Sequence, residues 1–303
     1  MILSEHLSGA MCGSYAFVQT LRDEHIDIHL LEMSSGSPFG SASFGDDLGF
    51  ARILTVFRDF NDGIDKAAPL FGINVERRDF NSSEEVAKTI FNLHDNENIM
   101  CGPVNMSFLA YLPVPYQYRA SDHFITFFRD GELFVSDSEG MPALLIPSES
   151  ELSRMLSVRD IPEAKGLFTL RKLSAINQPE KNIEAFIIET AAKNFCEAES
   201  HGQGSEAFVK IAGITKLFAP VKWSVPLNIN LSHYMYRKLL ADILFKKFNV
   251  PSQLHSLNNE ALHIAGNLRF ILRRKEYENV NKMLMKLSDI ERKTALYMEK
   301  KIL

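Results

Sequence analysis

The chain has 303 residues, of which 46% are apolar and 23% charged, and this composition is typical of a globular protein. The length fits one large domain or two of ordinary size. No apolar stretch of about 20 residues predicts a transmembrane helix, and the first residues lack the layout of a signal peptide. Three widely spaced cysteines argue against a disulfide framework and a CxxC zinc site, so we expect a reducing, cytoplasmic setting.

Charge is distributed unevenly along the chain. Residues 232–303 contain 14 Lys and Arg against 7 Asp and Glu, whereas residues 1–231 contain 19 against 31. The basic C-terminal part could bind an acidic partner or could complement the acidic front of its own chain. No basic stripe is interleaved with aromatic residues, so nucleic acid binding is not expected.

The first 176 residues alternate between helical and strand patterns. Helices are predicted within 10–32 with a break, and within 81–98, where Ser82 or Ser83 is the cap. Residues 34–50 are rich in Gly and Ser and predict a loop, which could frame a substrate channel or be a mobile connection. The remaining predicted elements are a helix and a strand in 64–80, strands in 98–112 and 166–173, a hairpin in 122–140, and a strand and a helix in 142–156, the helix capped by Ser148 or Ser150.

After about residue 176 the strand patterns end. Apolar residues recur at i, i+3, i+4 and i+7 in successive segments up to residue 303. This order predicts an α+β domain over residues 1–175 followed by an all-α domain over residues 176–303.

Three side chains in the predicted α+β domain suggest cysteine catalysis. Cys12 stands where the first helix is expected to begin, and a helix N-terminus lowers the pKa of a cysteine there. A base and an orienting acid are also needed. His123 opens the hairpin and Asp137 closes it. A two-residue turn at Asp130-Gly131 would pair His123 with about Ser138, so Asp137 would lie beside it.

Each of these residues also has a structural interpretation. A cysteine is often a small buried hydrophobe, a histidine at a strand start is often structural, and an aspartate before Ser-Glu-Gly is often a turn former. Cys101, in a buried strand, and Cys196, on a helix, are both expected to be inert. The arrangement of Cys12, His123 and Asp137 nonetheless favours catalysis, in the chain order that papain-like folds use.

The sequence also resembles a known family, on the motifs "MCGSYAFVQTL", Glu32 in "HLLEMSSG", and "GPVNMSFLAYLPVPYQYRASDHFITFFRDGELFVSDSEG". These are similar to the butirosin biosynthesis protein H-like N-terminal domain, and "EAFVKIAGITKLF" resembles the helical domain that usually follows it. The resemblance implies a papain-like fold and an acyl transfer from a carrier-protein thioester to an amine. It implies a triad of Cys12, His123 and Asp137, with no metal and no cofactor except the phosphopantetheine of the carrier.

The resemblance also indicates further candidate residues. The oxyanion donor of papain-like enzymes often lies six positions before the cysteine, which is His6 here, and the backbone N–H of Cys12 is another donor. Gly13, next to the nucleophile, and Tyr116, in "LPVPY", are further substrate-binding or oxyanion candidates. Glu32 could orient a substrate amine or a loop, or could be an exposed glutamate at a helix end.

The expected function is therefore a cysteine acyltransferase that uses an acyl carrier protein and a small-molecule amine. Two alternatives stay open on the sequence alone. The same triad could hydrolyse a peptide, an amide or a thioester, or the chain could be a non-catalytic binding module with a degenerate papain-like domain.

Overall fold

The computed structural model describes residues 12–22, 26–43, 54–58, 60–105, 122–137, 141–146, 148–156, 168–175, 182–248 and 250–301. The α-helices within these residues are α1 Cys12–Leu21, α2 Ile28–Ser34, α3 Phe60–Ala67, α4 Ser83–Phe91, α5 Glu149–Leu156, α6 Ile183–Ser200, α7 Ser205–Leu217, α8 Pro220–Lys247, α9 Ser252–Arg273 and α10 Val280–Lys301. The strands are β1 Ser41–Ala42, β2 Thr55–Val56, β3 Ile73–Phe80, β4 Asn98–Asn105, β5 Asp122–Asp130, β6 Glu132–Asp137, β7 Met141–Leu145 and β8 Phe168–Ala175.

The chain divides into two compact units. The first, here called the sheet unit, comprises Met1–Glu32 and Ile64–Lys181, and the second, the helical unit, comprises Met33–Gly63 and Asn182–Leu303. The sequence predicts one division after residue 175. The two divisions differ in Met33–Gly63, which belongs with the helices although it comes early in the chain.

The sheet unit is built on six antiparallel strands in the order β3-β8-β4-β5-β6-β7. Ile125 and Phe127 of β5 belong to a core that includes Val86 of α4. Thr126, which lies between them, contacts α1 instead. Because successive strand residues face opposite sides of a sheet, α1 and α4 cover different faces. The mixed α+β architecture predicted from the sequence is confirmed.

Two of the predicted helix caps are resolved to single serines. The Ser82 hydroxyl accepts a hydrogen bond from the Glu85 backbone N–H at 3.3 Å, and the Ser148 hydroxyl accepts one from the Glu151 N–H at 3.2 Å. Each satisfies a backbone donor that the first turn of a helix leaves without a partner. These caps set the starts of α4 and α5.

The helical unit contains a helix that is longer than its sequence pattern indicates. The periodic segment from residue 233 predicts a helix of about 16 residues, but α8 has 28 residues and begins at Pro220. Trp223, Leu227 and Leu231 are buried at intervals of four residues across Pro226. This burial offsets the backbone hydrogen bond that a proline inside a helix removes. None of the helices in the described part of the chain is long and apolar enough to cross a membrane.

Residues 33–43 are packed into the helical unit, and all of them are buried. The Arg237 guanidinium donates to the Gly40 carbonyl at 3.0 Å, and the Asn194 amide donates to the Gly36 carbonyl at 2.9 Å. Gly36 has φ +80°, and a side chain there would collide with Asn194, so both the backbone angle and the space require glycine. Residues 34–43 are therefore a packed segment and not a mobile connection, while residues 44–50 of the predicted loop lie outside the described residues.

Candidate active site

Helix α1 carries Cys12 as its first residue. The cysteine is partly exposed, whereas the next six residues are all buried. The first backbone N–H groups of a helix have no partner within the helix, and together with the helix dipole they favour a negative charge at this position. Cys12 therefore stands at the positive end of the α1 dipole.

Two contacts of a threonine hydroxyl and one amide hydrogen bond hold α1 against the sheet. The Thr126 hydroxyl of β5 donates to the Ala16 carbonyl at 2.8 Å and lies 3.0 Å from the Thr20 hydroxyl. The Thr20 hydroxyl also donates to the Ala16 carbonyl, at 2.7 Å. The amide of Asn98 in β4 donates to the Thr20 carbonyl at 3.0 Å. These buried bonds fix the position of the helix that presents Cys12.

His123 and Asp137 form a close pair at the ends of two neighbouring strands. The His123 Nε2 atom lies 2.6 Å from the Asp137 Oδ1 atom, and each residue is only 1% exposed. His123 lies in β5 and Asp137 is the last residue of β6. Such a short, buried contact orients the imidazole and favours its charged form.

The hairpin that joins them has a different register from the one predicted. Arg129 pairs with Leu133 and Asp130 with Glu132, so only Gly131 lies between the last paired residues, one residue fewer than in a two-residue turn. Gly131 at the tip has φ +69°, a left-handed conformation that glycine adopts without strain and that this tighter tip requires. Ser138, the predicted backbone partner of His123, lies outside the described residues, and the side chains of His123 and Asp137 meet.

Cys12 is the third side chain of the site, next to the His123–Asp137 pair. Burial lowers the pKa of His123, but the charge of Cys12, the hydrogen bond to Asp137 and a hydrogen bond to the Cys12 side chain raise it, and the net result is a pKa of about 10. The imidazole is thus protonated at neutral pH, between a sulfur and a carboxylate. The structure brings together the three side chains that the sequence analysis selected as a triad.

Two residues of this site were not identified from the sequence. Tyr15 of α1 is 5% exposed and Ser136 of β6 is 3% exposed. Burial raises the pKa of Tyr15, a hydrogen bond to Ser136 lowers it, and the charge of Asp137 raises it, with a net increase. The sequence contains one signal for each of these two residues. Tyr15 follows Cys12 by three residues, which places both on one side of a helix, and Ser136 directly precedes Asp137.

One interpretation of Glu32, that it is an exposed residue at a helix end, is wrong. It is 0% exposed, and its carboxylate accepts a hydrogen bond from the Ser14 hydroxyl at 3.3 Å. Ser14 lies two residues after Cys12 and is also fully buried. Gly13 is buried in the first turn of α1. Glu32 therefore contacts the helix that carries Cys12, through a side chain that does not share the Cys12 side of that helix.

Two other predicted site residues, His6 and Tyr116, lie outside the described residues. Of the remaining cysteines, Cys101 is fully buried in β4, and burial raises the pKa of its thiol to about 12, although the charge of Arg171 lowers it. Cys196 is partly exposed on α6; burial, followed by the charges of nearby glutamates, raises its pKa. Both environments disfavour the thiolate that chemistry requires.

No group of three or more His, Cys, Asp or Glu side chains within the described segments has the arrangement of a metal site. No family model matches the chain, and no curated protein matches it either.

Proposed function

We propose that this protein is a papain-like cysteine acyltransferase, in which Cys12 is the nucleophile, His123 the general acid and base, and Asp137 the residue that orients His123. The observation that carries the proposal is the buried contact of 2.6 Å between His123 and Asp137, beside a cysteine at a helix N-terminus. A nucleophile, a base within hydrogen-bonding reach and a third group that orients the base are the parts that covalent catalysis needs.

The first half-reaction forms an acyl-enzyme. The Cys12 thiolate attacks the carbonyl carbon of an acyl thioester and forms a new carbon–sulfur bond, while the bond to the donor thiol breaks. The departing thiolate takes the proton of the His123 imidazolium. One thioester replaces another, so this exchange needs no ATP.

The second half-reaction transfers the acyl group to an amine. The neutral His123 accepts a proton from the amine as its nitrogen attacks the acyl carbon. The bond to Cys12 breaks, and the sulfur leaves as a thiolate beside the regenerated imidazolium. The product is an amide, and the enzyme returns to its starting state.

Two observations support transfer to an amine over hydrolysis. His123 and Asp137 are almost completely buried, and a site that excludes water protects an acyl-enzyme until the acceptor binds. The motifs that resemble the butirosin biosynthesis protein H-like family indicate the same reaction. We further propose an acyl carrier protein as donor, because such a partner is acidic and residues 232–303 have twice as many basic as acidic side chains.

The experiment is intact-protein mass spectrometry after incubation with a panel of acyl-loaded carrier proteins. The wild-type chain and a Cys101→Ala control should gain the mass of the acyl group, and Cys12→Ala should not. Loss of the acyl group is then followed with and without candidate amines. An effective amine should accelerate the loss by orders of magnitude and yield an amide.

The same experiment contains the outcomes that contradict the proposal. Rapid loss in water, indifferent to every amine, would identify a hydrolase that uses the same triad. If no carrier, peptide or simple thioester acylates Cys12, and the thiol also fails to react with iodoacetamide, the domain is a non-catalytic module.

A further inference from the structure

Helix α8 carries apolar side chains on two opposite sides. Trp223, Leu227 and Tyr234 are buried in a core that α8 shares with α7, α9 and α10. The large apolar side chains of the other side are exposed, and they are Val221 (82%), Val225 (43%), Ile229 (39%), Leu239 (48%) and Ile243 (49%). These five residues, here called the α8 stripe, lie within an arc of about 80° around the helix axis, at 3.6 residues per turn.

The α8 stripe is more than scattered surface exposure. It contains half of the ten large apolar side chains that are exposed within the described residues, and it runs for about 33 Å along the helix axis. Ser232 and Tyr236 lie on the same side in the interval between Ile229 and Leu239. A helix with apolar residues on opposite sides is typical of one that lies between two layers of structure. The core supplies one layer, so the stripe indicates a second.

The α8 stripe is symmetric in sequence about Ser232. Val221 and Ile243 each lie eleven residues from Ser232, and Val225 and Leu239 each lie seven residues from it. A two-fold dimer interface brings residue i of one copy to residue j of the other, and residue j to residue i. When two α8 helices cross antiparallel at Ser232, Val225 of each copy meets Leu239 of the other. The stripe is therefore complementary to a second copy of itself.

Charge favours the antiparallel orientation over the parallel one. Lys222 lies ten residues before Ser232 and Asp242 ten residues after it, so an antiparallel crossing brings these opposite charges together twice. Asp242 also pairs with Lys246 of its own chain, and a carboxylate has acceptor sites for a second ammonium. A parallel pair would instead place Lys222, Lys246 and Lys247 each against its own copy, and like charges in such positions oppose association.

We propose that this protein forms a two-fold symmetric homodimer through the α8 stripe, with two antiparallel copies of α8 that cross at Ser232. The small side chain of Ser232 allows a close approach of the helix axes at the crossing. Its hydroxyl donates to the Ile229 carbonyl at 2.6 Å, so it adds no unpaired donor to the interface. This surface lies apart from the triad, and the inference is independent of the proposed reaction.

The expected dimer is reversible. One helix from each copy provides a contact that is about 33 Å long and one helix wide. Such an area is at the small end of specific protein interfaces, so we expect a dissociation constant on the order of 10 μM. The protein should be monomeric when dilute and dimeric at high concentration.

The first test is analytical ultracentrifugation of the full-length chain from about 1 to about 200 μM, a range that brackets this constant. The wild-type chain should shift from monomer to dimer. Leu239→Glu should raise the dissociation constant at least about tenfold, because each copy would bury an unpaired carboxylate in the interface. Phe270→Glu is the matched control, since Phe270 is a 57% exposed apolar residue of α9 outside the stripe, and it should have the wild-type curve.

The second test is disulfide cross-linking, which measures the register. It uses full-length chains that carry Cys12→Ala and Cys196→Ala. Ser232→Cys should cross-link to its own copy, and a mixture of Val225→Cys and Leu239→Cys chains should cross-link to each other. Val225→Cys alone should not, because its two copies would lie about 21 Å apart along the helix axis, beyond the reach of a disulfide.

The outcomes decide the inference in either direction. A wild-type chain that stays monomeric overturns it, and a lower stability of Leu239→Glu to denaturant would then show that another part of the same chain covers the stripe. A dimer that Leu239→Glu leaves intact would be formed by a different surface. Cross-linking of Val225→Cys with itself would show parallel helices. None of these measurements uses the triad, so failure of the proposed function would leave the dimer unaffected.

Discussion

The three cysteines differ in their environment, and we expect that difference to decide which one an alkylating reagent modifies. Cys12 is partly exposed beside an imidazolium, Cys101 is fully buried, and Cys196 is partly exposed near glutamates. Alkylation requires a thiolate that a reagent can reach. Only Cys12 combines access with a neighbouring positive charge.

We expect Cys12 to react with iodoacetamide at pH 7 at least about 100-fold faster than Cys101 and Cys196. Peptide mapping by mass spectrometry over a time course measures all three in one sample. His123→Ala removes the positive charge and should reduce the difference, whereas His255→Ala in the helical unit is the matched control. Equal slow labelling of all three thiols would remove the basis for a nucleophile at Cys12.

A second effect at the residue scale is that of Asp137 on the protonation of the His123 imidazole. Its hydrogen bond and its charge are among the causes that raise the pKa of His123 to about 10. Asp137→Asn removes the charge, so the pKa of His123 should fall, and the alkaline limb of activity should move to lower pH. Turnover at pH 7 should fall by about 100-fold or more, because the imidazole also loses its orientation.

The measurements are the pH dependence of acyl transfer and the titration of His123 by nuclear magnetic resonance with labelled histidine. Asp130→Asn, at the exposed tip of the same hairpin, is the control and should have the wild-type profile. An unchanged or higher pKa of His123 in Asp137→Asn would contradict the assignment of Asp137 as its orienting partner.

At the scale of elements, the position of α1 determines whether Cys12 reaches His123 in the proposed triad. The Thr126 hydroxyl joins β5 to the Ala16 carbonyl and to Thr20, and all of these groups are buried. Valine has nearly the shape of threonine but cannot donate or accept. Replacing Thr126 by valine therefore removes the hydrogen bonds between α1 and β5 without a large change in side-chain volume.

Thr126→Val should lower the free energy of unfolding by about 1–3 kcal/mol, because it leaves buried polar groups without their partner. Acyl-transfer activity should fall as well, because Cys12 is the first residue of α1. Denaturant unfolding and acyl transfer are measured on the same sample. Thr215→Val, which loses one bond within α7 in the helical unit, is the control, and an equal loss of activity in that variant would contradict a specific role for the α1 contact.

At the scale of the whole molecule, the chain passes from the sheet unit to the helical unit at residue 33 and returns at residue 64. The buried carboxylate of Glu291 holds residues 33–43 in the helical unit. Glu291 of α10 lies 2.5 Å from the Lys238 ammonium and accepts from the Tyr234 hydroxyl at 2.8 Å and the Ser41 hydroxyl at 3.5 Å. Residues 33–43 are thus tied to helices from the far end of the sequence.

Glu291→Gln should lower the free energy of unfolding of the helical unit by about 3 kcal/mol, because Lys238 would keep its charge in a buried site without a counterion. Asp289→Asn, two residues earlier, removes an exposed carboxylate that pairs with Lys293 and Arg292, and it should cost less than about 1 kcal/mol. Thermal and denaturant unfolding of the two variants measure both changes in the free energy of unfolding. Equal effects of the two substitutions would show that the buried network adds nothing to stability.

The sequence by itself determined the elements whose signals are local. The periodic helices after residue 183, a serine cap at residue 82 or 83 and the hairpin around Gly131 each depend on a few neighbouring residues, and the structure contains all of them, with Ser82 as the cap. The selection of Cys12, His123 and Asp137 also came from local positions, namely a helix start and two strand ends. Short-range stereochemistry and hydrophobic periodicity are sufficient for such predictions.

Only the tertiary structure decided which distant segments pack together. Residues 34–43 belong to a predicted Gly/Ser-rich loop, yet they are buried because Arg237, Asn194 and Glu291 satisfy their polar groups, and those partners lie more than 150 residues away. The burial of Glu32 against Ser14 has the same origin. The free energy of burying a polar group depends on partners that a local pattern does not contain.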